Sequence, residues 1–137
     1  MWWLYALLSA FFASLTAIFA KVGVKGVDSE LATAIRTIVV LFLAWGIVFF
    51  KGTSASINSI SQKNLTYLII SGLATGLSWI FYFKALQTGK LLQVSPVDKL
   101  SLALTIIFSV IFLNEALSIK TAIGIILIIT GVFVIIK

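Results

Sequence analysis

Five apolar runs separated by short polar links organise this sequence. Trp2 to Ala20 carries no charge. Lys21 to Glu30 is a polar link, and Leu31 to Phe50 is an apolar run interrupted only by Arg36. A Ser/Asn-rich loop over Lys51–Asn64 follows, and then Leu65 to Leu86, with Lys84 near its end. Leu91 to Leu113 holds Pro96, Asp98 and Lys99. Thr121 to Ile136 is the shortest run, and reaches spanning length if it starts at Ser118, a suitable N-cap. A bilayer core about 30 Å thick takes roughly 20 helical residues. Backbone polar groups in lipid must be satisfied within helices or closed barrels, and barrel strands would alternate apolar and polar side chains. These runs do not alternate. The expected fold is therefore all-α: a polytopic transmembrane bundle with helices near 2–20, 31–50, 65–86, 91–113 and 118–136.

Composition agrees with lipid as the solvent. The chain has 137 residues, 61% hydrophobic and 10% charged. A soluble domain of this size needs a polar shell that these residues cannot form. The first run is too long for a signal-peptide core and has no cation before it, so it is expected to stay as a helix. Trp2, Trp3 and Tyr5 sit where an interfacial aromatic belt is expected. With no Cys and no His, disulfides, thiol catalysis, most zinc sites and the usual neutral-pH proton carrier are excluded. The acids are Asp28, Glu30, Asp98 and Glu115, in no recognisable catalytic spacing, so an enzyme, a metal site or a cofactor is not expected. The net charge of +6 points to anionic cytoplasmic lipid rather than nucleic acid, because no Lys/Arg cluster exists.

Loop lysines are nearly balanced across the membrane. On the face of the N-terminus they are Lys51, Lys63 and Lys120; on the other they are Lys21, Lys25, Lys90 and Lys137. The small excess marks the second face as cytoplasmic, and the near balance also permits insertion in both orientations.

The charges inside the runs all fall in that second half of the membrane. Arg36 lies early in the second helix, Lys84 late in the third, and Asp98 and Lys99 about 12 Å into the fourth. In-span charges are costly and usually face an interior or a wet cavity. Lys84 and Arg36 are also placed to snorkel to the interface. Asp98 has two readings. Ser95-Pro96-Val97-Asp98 resembles a capping box with proline at the first helical position. Alternatively the apolar Leu91, Leu92 and Val94 mark a helix already under way and kinked at Pro96, which is the favoured reading. Asp98 is a candidate proton or cation relay, and Arg36 either balances it or holds an anionic group of a substrate. Asp98 and Lys99 point about 100° apart on a helix and need not pair. Trp79 and Tyr82, three apart, share a face and either wall a cavity or pack against lipid and helices.

Small residues mark expected helix contacts. Gly72 and Gly76 form a GxxxG pair with Ser71 and Thr75 beside them, and the fifth run carries Gly124 and Gly131. Such residues permit close approach in lipid. They are expected to pack helices within the bundle, with the fifth helix as a candidate dimer face.

Together these features resemble a single EamA-like domain of the drug/metabolite transporter superfamily. The resemblance runs over essentially the whole chain. It rests on Lys21, Arg36, the Tyr82-Phe83-Lys84-Ala85-Leu86 ending of the third helix, Ser95-Pro96-Val97-Asp98-Lys99-Leu100-Ser101, Phe112-Leu113-Asn114-Glu115-Ala116-Leu117-Ser118, and Gly124 with Gly131. The family usually has Gly where Asn114 stands here. The related small multidrug resistance proteins use a first-helix glutamate, which is absent here. The resemblance implies a multi-pass protein of the cell (inner) membrane that moves small metabolites or drugs through a central cavity. Most members resemble two such domains fused, and an odd number of spans makes fused copies inverted repeats. One copy is therefore one inverted-repeat unit, expected to work as a homodimer, antiparallel in its geometry, or as a heterodimer with a related chain. A non-transporting subunit or assembly factor is the competing expectation.

Overall fold

The computed structural model describes residues 1–137. The apolar runs fold as α1 (Trp2–Gly23), α2 (Ser29–Phe50), α3 (Gln62–Thr88), α4 (Leu91–Asp98), α5 (Leu100–Leu113) and α6 (Ile119–Ile136). Taken together, α4 and α5 form one span over Leu91–Leu113, so the chain has five helical segments long and apolar enough to cross a membrane. There are no strands. At 27 residues α3 is about 40 Å long, more than a bilayer core requires. It begins at Gln62, before the apolar run, because Ser61 Oγ accepts from the Asn64 amide and supplies the start.

Each helix end has a local cause. Gly52, at φ +67°, takes the left-handed conformation that stops α2, and its amide bonds the Phe49 carbonyl at 3.1 Å. A 3-10 turn over Thr53–Ser59 follows. Asn114, at φ +54°, ends α5 in the same left-handed conformation. The amides of Asn114 and Glu115 both turn back to the Ser109 carbonyl, the second at 3.3 Å. This closure turns the chain back on the last helical turn, and Asn is among the few residues besides Gly that tolerate the turn. Ser118 caps α6 as expected, its hydroxyl accepting from the Thr121 amide at 3.1 Å.

The fourth span settles the two readings of Pro96. Its helix starts at Leu91, and Lys90 accepts at its carbonyl from the amides of Gln93 and Val94. Pro96 therefore lies inside α4, and Ser95 does not cap it. Proline has no N–H for the Leu92 carbonyl. The α-helical pattern then breaks at Lys99, whose amide bonds the Pro96 carbonyl at 3.0 Å in a tighter turn.

Packing divides the chain into two units, Met1–Ile18 with Thr88–Lys137, and Phe19–Gln87. In the first, α6 packs on both α4 and α5, and Ala103 and Val132 are buried. In the second, Ala20, Val24, Ser29, Thr33, Phe83 and Leu86 are buried. Most of the other large apolar side chains are exposed, as lipid-facing residues of a membrane protein are.

A Cβ placed on Gly72, Gly76, Gly124 or Gly131 would meet nothing within 4 Å. These positions leave room beside them for a close neighbour. The Thr75 hydroxyl donates to the Ser71 carbonyl of its own helix at 2.9 Å. That intrahelical bond satisfies the hydroxyl in lipid without a partner.

Candidate functional site

The unit Phe19–Gln87 contains the most developed arrangement of polar and aromatic groups. At one end of it, Lys21 Nζ donates to the Leu86 carbonyl and Gln87 Nε2 donates to the Val27 carbonyl. The first bond ties the end of α1 to the last turn of α3. A cation at a helix C-terminus satisfies orphan carbonyls and meets the negative end of the helix dipole. The second ties α3 to the link before α2. An open recess of about 490 Å³ lies here, with Lys21, Lys25, Asp28 and Gln87 among its lining residues. Gly26, at φ +72°, turns the link between α1 and α2.

Arg36 enters the membrane half from α2 and lies across α3. Its Cζ sits over the Trp79 ring, 4.6 Å from the centroid, and over the Phe83 ring, 4.9 Å from the centroid. Trp79 and Phe83 are one helical turn apart, so both rings face the same way. Phe83 is fully buried and Arg36 half-buried. Tyr82 lies within electrostatic reach of Arg36, and its ring is 6.2 Å from that of Phe83. No carboxylate pairs with Arg36; the ion pair the protein forms inside a span is Asp98 with Lys99. For a half-buried arginine near one end of its span, cation–π contact of about 1 kcal/mol offsets part of the cost of holding the charge within the membrane. Lys84 is exposed and interacts electrostatically with Glu30 in the first turn of α2.

In the other unit the polar groups collect at the break of the fourth span. Lys99 Nζ lies 3.2 Å from Asp98 Oδ2, and both side chains are partly exposed. Neighbouring helix positions do not oblige such residues to pair; here they do.

A family model for the EamA-like transporter family matches residues 1–137. The chain belongs to the EamA-like transporter family. It is 45% identical over 130 residues to an uncharacterized transporter in the cobO 3' region of a Sinorhizobium species, covering 95% of this chain and 92% of that relative. It is 39% identical over 71 residues to an uncharacterized protein of Methanocaldococcus jannaschii, covering 52% of each. No solved structure matches it. This EamA-like chain is thus a multi-pass membrane transporter.

Of the residues singled out from the sequence, the EamA-like structure brings Arg36, Trp79 and Tyr82 together. It gathers Pro96, Asp98 and Lys99 at one helix break. Sequence reasoning misses Phe83, the second ring under Arg36. Its spacing of four from Trp79 is the available signal, and the spacing of three to Tyr82 competes with it. Gln87 is missed as well, since nothing in its neighbours marks it as a tie between two helix ends.

Proposed function

We propose that this transporter moves a small metabolite or drug-like solute by alternating access, as an antiparallel dimer. The family match over residues 1–137, on a chain with five spans, is what carries this reading. An odd number of spans puts the two ends of one unit on opposite sides of the membrane. Two units related by inversion then supply two equivalent half-pathways that open in turn. The Sinorhizobium relative supports a half-size unit, because 92% of its length is matched. The open faces at Gly72, Gly76, Gly124 and Gly131 support a second copy, since small residues let helices from two chains approach closely.

In this reading Arg36, Trp79 and Tyr82 form a solute-contacting wall, and Asp98 serves as the proton or cation relay. The broken fourth span puts irregular backbone at Lys99, beside Asp98, of the kind tolerated in a membrane only beside protein or water. Counterflow into proteoliposomes of the purified chain tests transport directly, with amino acids, amines, sugars and cationic drugs as trial solutes. Accumulation of one class above protein-free vesicles is the expected result. A protein that reconstitutes intact and moves none of them contradicts the reading.

A further inference from the structure

We propose that Arg36, laid over Trp79 and Phe83, is the docking point for a solute bearing a carboxylate or phosphate group on an apolar body. The proposal rests on the transporter reading and names the substrate class of the same site.

The charge count comes first. The end of the unit holding Arg36 also carries Lys21, Lys25 and Lys84, against the two carboxylates Asp28 and Glu30. Glu30 is engaged by Ser29 Oγ at 2.9 Å and by the field of Lys84. Neither acid pairs with Arg36. The excess of positive charge favours an anionic visitor.

Donor geometry gives the second reason. A guanidinium carries five N–H donors in a planar fork and has no acceptor. The two rings compensate its charge but offer the fork no oxygen to bond. Carboxylate and phosphate match that fork with two parallel hydrogen bonds, and such pairs strengthen in a site shielded from water. Pinning by the rings orients the fork before the solute arrives, so less rotamer freedom is lost on binding.

A cationic solute is disfavoured for the same reasons. The ring faces that would hold it are already covered by Arg36. Entry would require the arginine to leave and then to remain nearby as a like charge. The apolar body of the solute follows from Trp79, whose ring is only partly buried and extends the contact beyond the guanidinium.

Trp79 is also the reporter. The other tryptophans, Trp2, Trp3 and Trp45, are replaced by Phe to leave it alone. The purified protein in nanodiscs is titrated with benzoate, phenyl phosphate, benzyltrimethylammonium and neutral benzyl alcohol. Saturable change in Trp79 emission is expected with one or both anions, and none with the cation or the alcohol at matched concentrations. Arg36→Lys, which keeps the charge and loses the fork, is expected to weaken anion binding about tenfold. Arg36→Gln is expected to abolish it, with helix content and elution volume confirming that the variant is folded. Binding of the quaternary ammonium, anion binding undiminished in Arg36→Lys, or no response to either anion would each overturn the proposal. The assay needs no flux, so its outcome is separable from transport. Anion binding without counterflow would sink the transporter reading and leave the site; counterflow of cations alone would do the reverse.

Discussion

Arg36 and Trp79 meet across two helices, with the guanidinium carbon 4.6 Å from the indole centroid and no carboxylate beside it. A cation in an apolar span is here compensated by π-faces. Phe83 provides the second face and is itself fully buried, so that ring is held in place. A double-mutant cycle on Arg36→Gln and Trp79→Leu is expected to give a coupling energy of about 1 kcal/mol. Reversible unfolding in mixed micelles measures it. Additive single effects would mean the contact is incidental.

Phe83 and its neighbour Tyr82 should differ sharply. Phe83→Ala empties a fully buried site and is expected to cost about 3–5 kcal/mol. Tyr82→Phe keeps the ring volume and is expected to leave stability within about 0.5 kcal/mol while altering solute affinity. Unfolding curves and the Trp79 titration separate the two.

Much of the fold is legible without the structure, and the reason is lipid. Run length and hydropathy alone place five spans, because a bilayer imposes one length on every helix that crosses it. Ser118 is legible as a cap because N-capping is local chemistry. The contact of Arg36 with α3 is not legible. It depends on which ring of the Tyr82-Phe83 pair faces α2, and neighbouring helix positions differ by about 100°. The Asp98–Lys99 pair escapes sequence reasoning because adjacent helix positions point about 100° apart, and whether long side chains bridge that angle depends on their rotamers. The glycines leave their partner open, because a GxxxG pattern gives the ability to pack without naming what packs there.

The left-handed turn at Asn114 explains the departure from the usual glycine. Asn114→Gly is expected to be neutral or slightly stabilising. Asn114→Val is expected to cost about 1–2 kcal/mol, since a branched side chain crowds the backbone at φ +54°. Thermal melting in detergent distinguishes them.

Pairing of two copies should depend on the open glycines. Gly131→Leu is expected to leave the single chain folded, because nothing lies within 4 Å of the new side chain's first carbon. The same change on the candidate dimer face should weaken association by about 1–2 kcal/mol. Sedimentation of the detergent-solubilised protein reads this as a shift towards monomer. An unchanged dimer would place the interface elsewhere.

Asp98 tests the relay. Asp98→Asn keeps size and hydrogen-bonding capacity and removes the charge from the pair with Lys99. It is expected to abolish coupled uptake while leaving assembly intact. Uptake that persists with its pH dependence unchanged would remove Asp98 from the pathway.

Water must reach the in-span charges if solute does. The chain has no native cysteine, so single replacements at Arg36 and at Asp98 can be labelled without background. The measurement is modification of each by a membrane-impermeant thiol reagent in intact proteoliposomes, with and without added solute. A transporter with these side chains in its pathway predicts labelling at both positions, and protection by the solute at the Asp98 replacement, which keeps Arg36 to bind it. Complete protection of both positions under all conditions would place them against protein or lipid and contradict a role in transport.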